Sequence, residues 1–187
     1  MRIISGSLKG KKILDPKDLN TRPLKDITKE SIFNIIIHSN KFNVSLKNSI
    51  VLDLFSGVGS FGLECLSRGS SELTFVENYK NVLPILKKNI YNLGFHKNST
   101  IIESNIIDNL NFKTFTNKFD IIFMDPPYKE KTLTIILTKI IESNILNNNG
   151  IIIIHRHKKE EDKFPVKFNI IEDKTYGISR IIFGNYF

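Results

Sequence analysis

The sequence predicts an α/β fold: a doubly wound, mostly parallel sheet of seven strands, an antiparallel hairpin at its C-terminal edge, and a small N-terminal β-hairpin plus helix extension. Three observations point there. Short apolar runs alternate with segments of helical periodicity between residues 49 and 155, as in a chain of parallel strands joined by crossover helices. Runs such as 119–124 (FDIIFM) and 150–155 (GIIIIH) are apolar without alternation, which burial on both sheet faces demands. The last two strand-like segments, 167–174 and 180–187, lie too close together for a helical crossover and must pair antiparallel.

Residues 2–14 (RIISGSLKGKKIL) hold apolar pieces split by Gly6 and Gly10, and read as a short hairpin presenting the cations Arg2, Lys9, Lys11 and Lys12. Residues 15–25 are polar and contain two prolines, a linker or binding loop in which Arg22 stands beside Pro23. From Asp26, the spacing of Ile27, Ile32, Phe33, Ile36 and Ile37 predicts a helix to about Ser39, capped by Asp26 or Thr28. We therefore expect residues 1–40 to form an N-terminal extension and 41–187 the main domain. Residues 49–54 are the first sheet strand and 60–68 its helix, stopped by Gly69; 73–76 is the second strand. A helix follows to Leu93, and with Asn81 as N-cap its Pro84 falls in the first turn, where no hydrogen bond is lost. Residues 100–103 and 120–124 are the third and fourth strands, 132–146 a helix, and 150–155 the fifth strand. The charged stretch 156–163 reads as a solvated loop, with His155 and His157 at the surface.

The 187 residues suffice for one domain with a substantial core. One cysteine, Cys65, excludes a disulfide framework and a cysteine metal cluster; it reads as a packing residue of the second helix. No run reaches membrane-spanning length, and a cytoplasmic, soluble protein is expected. The formal net charge of +8 favours a polyanionic partner, because cations that meet phosphates release condensed counterions. The four histidines show no metal-ligand spacing, and no metal is expected.

Two stretches carry the chemistry. In 119–128, an apolar strand runs into Asp125-Pro126-Pro127-Tyr128. Proline lacks a backbone donor and restricts the residue before it, so pairing stops there and the turn projects from the carboxyl end of a strand, where open α/β sheets bind ligands. A carboxylate, exposed carbonyls and an aromatic ring in one rigid turn suit a planar group bearing an NH2. The second stretch, Asp53 to Gly62, is a strand end, a glycine turn and a helix start. Its G-V-G-S-F-G satisfies the dinucleotide pattern G-x-G-x-x-G, and Glu77 at the next strand end can take ribose hydroxyls in either a dinucleotide or an adenosine. Asp53, awkward beside a pyrophosphate, suits a cationic ligand such as S-adenosylmethionine.

With these residues in place the chain resembles the RsmD family of class I, Rossmann-like S-adenosylmethionine-dependent methyltransferases, which methylate a guanine 2-amino group in 16S ribosomal RNA. The resemblance is carried by RIISGSLKGKKI, TRP at 21–23, ESIFN at 30–34, LDLFSGVGSFGLECLSRG at 52–69, FVE at 75–77, SN at 104–105, FDIIFMDPPY at 119–128 and KTYGISRIIF at 174–183. It implies that Asp53, Phe55, Gly57 and Gly59 line the cofactor site, that Glu77 holds the ribose, and that Asn105 with the Ile106 backbone meets the adenine. It implies catalytic roles for Asp125, Pro126, Pro127 and Tyr128, and RNA contacts from Arg2, Lys9, Lys11, Lys12 and Arg22. The implied substrate is 16S rRNA within a small-subunit particle carrying ribosomal proteins, met by a monomer with no membrane partner. Leu24 and Thr28-Lys29 depart from the family pattern, which has threonine and a more arginine-rich helix start there. The alternatives are N6-adenine methylation of RNA or DNA, and an RNA-binding ribosome assembly factor with vestigial activity.

Overall fold

A computed structural model describes residues 1–16, 24–127 and 132–187. The strands are β1 (Ile50–Leu54), β2 (Glu72–Glu77), β3 (Ser99–Glu103), β4 (Phe119–Met124), β5 (Leu146–His157), β6 (Asn169–Tyr176) and β7 (Ser179–Asn185); the helices are α1 (Asp26–His38), α2 (Ser60–Ser67), α3 (Leu83–Asn92) and α4 (Leu133–Ser143). They form one seven-stranded sheet in the order β3-β2-β1-β4-β5-β7-β6. β1 pairs parallel with β2 on one side and β4 on the other, β2 with β3 and β4 with β5 are also parallel, and β7 is antiparallel to both β5 and β6.

The chain winds outward from β1 in both directions, so the switch of winding lies between β1 and β4. In such sheets the crevice beyond the strand ends opens there.

Alternation divides the strand side chains between two cores. Val51, Phe75, Phe123, Ile153 and Phe183 pack with α1, α2 and α3, while Leu52, Val76, Ile122, Ile154 and Ile182 pack with α4 and a short 3₁₀ turn at Phe112–Thr114. On the first face Phe61 of α2 stacks between Phe33 of α1, at 5.2 Å, and Phe123 of β4, at 3.9 Å. Ile3, Ile13, Leu24, Ile32 and Phe33 belong to this same core, so the N-terminal segment is packed on the sheet domain rather than beside it.

Four expectations are corrected in detail. The N-terminal hairpin is one antiparallel bridge, Arg2 opposite Lys12, instead of two regular strands. The reason is competition: the amides of Ile4 and Ser5 donate to the Glu64 carboxylate, and those of Ser7 and Leu8 to Ser67, so they are spent on α2 and not across the hairpin. Secondly, α1 is preceded by Lys25, without a side-chain cap, and not by Asp26 or Thr28. Thr28 and Lys29 are buried instead, Lys29 because its ammonium meets the Arg2 carbonyl at 2.8 Å, Ser60 Oγ at 3.3 Å and Glu64 at 3.7 Å. Thirdly, α4 stops at Ser143 rather than at residue 146, because Asn144 takes a left-handed conformation (φ 49°) that ends helices. Fourthly, β5 runs to His157, two residues past the expected strand end; its extension pairs with β7 through Ile181, Arg180 and Ser179. Pro84 does fall in the first turn of α3, with Val82 as N-cap.

Candidate active site

Three strand ends meet at the crevice, and each carries a carboxylate: Asp53 on β1, Glu77 on β2 and Asp125 just past β4. Asp53 pairs across β1 and β2 with Phe75 and across β1 and β4 with Phe123, which places it on the α2 face of the sheet. It is almost wholly buried. Its Oδ2 accepts the Gly62 N–H at 3.0 Å, and its Oδ1 is buried with no hydrogen-bond partner. Burial pushes the Asp53 carboxyl well above the usual carboxylate range; the Gly62 amide opposes this, and the charges of Asp125 and Glu77 add to it. Such an acceptor is satisfied by a cation or a strong donor, and buried polar groups normally have one.

The glycine turn fits that role. Phe55, Gly57 and Gly59 all have positive φ (59°, 54° and 86°), so the backbone doubles back between β1 and α2. A Cβ at Gly62 would stand 2.5 Å from Phe75 and 2.6 Å from Leu73, so only glycine lets α2 approach β2 closely enough to donate to Asp53. The turn is fixed from outside as well: Gly57 N–H donates to Glu77 Oε2 at 2.8 Å, and the Val58 carbonyl accepts from buried Asn89 of α3 at 3.0 Å. Asn89 also exchanges two bonds with the Leu14 backbone, tying the N-terminal segment to the turn. This contact has no local sequence signal.

Glu77 and Asn105 stand at the crevice with their acceptors partly engaged. Glu77 Oε1 accepts the amides of Asn78 and Tyr79, both at 2.8 Å, in addition to the Gly57 amide on Oε2. Oε2 therefore retains acceptor capacity for a hydroxyl, whereas Oε1 is already doubly occupied. Asn105 Oδ1 accepts the amides of Ile107 and Asp108, and its Nδ2 donates to Asp108 Oδ2, so the side chain is built into its own turn; Ile106 is buried beside Leu54 and Val76.

Asp125 is the most open of the three carboxylates, its side chain 20% exposed, and its Oδ1 lies 2.8 Å from Nδ1 of His155. Pro126 is buried and Pro127 exposed; the Pro127 carbonyl accepts from Arg156 at 3.3 Å. Arg156, 1% exposed, is held by Asp162 at 3.0 Å. Arg156 is thus a buried member of β5, not part of a solvated loop, and His155, expected at the strand end, is buried and not at the surface. The signal was present in the alternation: His155 follows Ile151 and Ile153 on the same face. Tyr128 and Arg22 lie outside the described residues. Arg2, Lys9, Lys11 and Lys12 are exposed on the N-terminal segment. Cys65 is buried, and burial pushes its thiol up, which disfavours a nucleophilic thiolate. Among the described residues there is no group of three or more His, Cys, Asp or Glu able to hold a metal ion, and no helix long and apolar enough to cross a membrane.

Comparison with known proteins gives the family. The model of a family described as "Conserved hypothetical protein 95" matches residues 1–185. The ribosomal RNA small subunit methyltransferase D of Haemophilus influenzae is 31% identical over 179 residues, which cover 95% of this chain and 90% of that protein. Its namesake from Buchnera aphidicola of Acyrthosiphon pisum is 34% identical over 172 residues, 92% of this chain and 86% of the relative. The chain belongs to the RsmD family. A solved structure of a Haemophilus influenzae protein described as a methylase superposes with a TM-score of 0.76 at 30% identity, covering 100% of this chain and 98% of the other. The Escherichia coli protein yhhF gives 0.82 at 23% identity, over 100% and 97%, a likeness of fold. As an RsmD-family member the chain is a methyltransferase, and a cofactor of the S-adenosylmethionine type goes with that class. Two of the stretches that carry the family resemblance, the N-terminal RIISGSLKG and the helix end LSRG, prove to be in contact: a Cβ at Gly6 would lie 1.9 Å from the Ser67 carbonyl oxygen, and the Ser7 amide donates to that oxygen at 2.7 Å.

Proposed function

We propose that this chain methylates the exocyclic 2-amino group of a guanine in 16S rRNA of the small ribosomal subunit, with S-adenosylmethionine as methyl donor, as a cytoplasmic monomer. The names of its relatives support rRNA as substrate. The observation that carries the chemistry is the half-open Asp125 carboxylate in a proline-fixed turn at the mouth of a buried acidic crevice.

The residues present fit the donor. The orphaned Oδ1 of Asp53, in a cluster of three carboxylates, suits a ligand with cationic ammonium and sulfonium groups. Asp53, Phe55, Gly57 and Gly59 would hold its methionine and ribose part, Glu77 would accept a ribose hydroxyl at Oε2, and the Asn105-Ile106 turn would border the adenine. When bound, S-adenosylmethionine supplies an electrophilic methyl group.

The chain's own part is to present the nucleophile. An exocyclic amino nitrogen shares its lone pair with the ring and attacks poorly while conjugated. Asp125 Oδ2 and the Pro126 carbonyl would each accept one N–H, which turns the lone pair out of conjugation, while Arg156 holds the turn by donating to the Pro127 carbonyl. Tyr128, by its place in the sequence, would stack on the base, a contact typically contributing about 1–3 kcal/mol. Orientation of this kind can supply roughly 7–11 kcal/mol of barrier lowering, and the spent proton would leave late to Asp125 or water. The base must lie in an unpaired loop or leave its stack to enter the crevice. The exposed Arg2, Lys9, Lys11 and Lys12, together with Arg22, would meet RNA phosphates, and a particle carrying ribosomal proteins would present them. In this reading residues 1–40 are the RNA-contacting extension and 41–187 the catalytic domain.

Asp125→Ala tests the assignment. Methyl transfer should be lost while the dissociation constant for S-adenosylmethionine stays near that of the wild type. Equal loss of both would remove Asp125 from the substrate side of the site.

A further inference from the structure

We infer that His155 is a positioning residue for Asp125. The proposal rests on the reading that Asp125 accepts a substrate N–H. It begins from where the two strands end. β4 stops at Met124, opposite Ile154, because prolines follow Asp125; β5 continues three residues further, held on its other side by β7. The turn bearing Asp125 thus leaves the sheet beside a strand that does not. This overhang reaches the turn from both sheet faces. On the α2 face, His155 Nδ1 lies 2.8 Å from Asp125 Oδ1; on the α4 face, Arg156 donates to the Pro127 carbonyl at 3.3 Å while Asp162 fixes its guanidinium.

The chemistry sets the direction of the first bond. An ionised carboxylate only accepts, so Nδ1 must carry the proton, and the bond selects that tautomer or the imidazolium. The His155 side chain is 7% exposed and set in a paired strand; that of Asp125 is about three times as open. The rigid partner therefore holds Oδ1 and leaves Oδ2 to point where substrate enters. Without that anchor the carboxylate can rotate about its own side chain, and a misplacement of about 1 Å in a reacting geometry can cost on the order of 10²-fold in rate.

Two measurements decide the matter. The first needs no variant in the working protein: long-range proton–nitrogen correlation of the histidine side chains in ¹⁵N-labelled protein, with His155 assigned from the spectrum of His155→Asn. A protonated Nδ1 is expected. A bare Nδ1 would overturn the proposal, since there would be nothing to donate. The second compares single-turnover methyl transfer and cofactor affinity in His155→Leu and His155→Asn. The leucine lacks a donor and should lower the transfer rate by roughly 10²-fold with an unchanged dissociation constant for S-adenosylmethionine. Asparagine can place its amide N–H near the position of Nδ1 and should restore most of the rate. Wild-type rate in the leucine variant, or an asparagine variant as slow as the leucine one, would overturn the role, and so would parallel loss of rate and cofactor affinity in the asparagine variant. Asp125→Ala, assayed beside them, separates the two failures. If it remains active, the reading of Asp125 itself fails; if it is inactive while both His155 variants are normal, only the positioning role fails.

Discussion

Asp53→Asn sets cofactor binding against stability at one atom pair. The side chain is isosteric and buried, and its carbonyl can still accept the Gly62 N–H now given to Oδ2 at 3.0 Å. What disappears is the negative charge and the free acceptor at Oδ1. A hydrogen bond to a charged group typically contributes about 1.5–3 kcal/mol. With tenfold for every 1.4 kcal/mol, the dissociation constant for S-adenosylmethionine should rise by roughly 10- to 150-fold. Stability should move little. The amide leaves an N–H where Oδ1 was, costing about 1–3 kcal/mol, but a desolvated charge facing Asp125 and Glu77 is relieved.

The pH dependence carries the sharper signature. Because the folded carboxyl titrates above its unfolded value, the folded state binds the proton more tightly. The associated stability is present in full below the unfolded value, near pH 3.9, and is lost as pH rises through the folded value. A cationic ligand prefers the ionised form, so cofactor affinity should tighten as pH rises through that same range, and Asp53→Asn should flatten the dependence. Isothermal titration calorimetry across pH measures both. A dissociation constant within twofold of the wild type, or an undiminished pH slope in the variant, would refute the assignment of Asp53 to the cationic end of the ligand.

Other perturbations follow from the same geometry. Gly62→Ala drives a methyl group to 2.5 Å from Phe75 and 3.0 Å from Asp53 Oδ2. Overpacking of this kind typically costs about 1–3 kcal/mol, or roughly 2–12 °C of thermal midpoint in a chain this size, and cofactor affinity should fall with it; an unshifted midpoint in a thermal melt would mean that α2 can retreat from β2. Replacing Lys9, Lys11 and Lys12 by glutamine should weaken RNA binding and reduce the slope of log affinity against log salt by up to about 2–3, at roughly 0.7–0.9 for each charge removed. The same slope in the variant would make the segment a structural clamp only.

Much of the fold was legible because its signals are local. The strands that are buried on both faces are apolar runs, unbroken isoleucine at 151–154 and interrupted only by Asp53 in β1 and Asp120 in β4, and Pro84 and the proline pair after Asp125 mark where backbone donors are missing. The site residues on the strand ends could be named for the same reason. What escaped depends on partners distant in sequence. Arg156 is a charged residue after an apolar run, and it is strand because β7 pairs with it; the burial of His155 and Arg156 depends on the Asp125–Pro127 turn that receives their side chains. Lys29 looks like a solvated helix residue until Glu64 and the Arg2 carbonyl close over it; burial pushes its ammonium below the usual lysine range, with Glu64 and Asp26 opposing. The double occupation of Glu77 Oε1 could not be foreseen, since it depends on how the backbone after β2 turns back onto the carboxylate.

The most direct test of the central claim is transfer of tritiated methyl from S-adenosylmethionine to small ribosomal subunits, and to naked 16S RNA, lacking the modification, followed by nucleoside analysis of the product. The expected product is N2-methylguanosine, formed faster on the protein-bound particle. N6-methyladenosine as the labelled product, or cofactor binding with no transfer to either substrate, would contradict it.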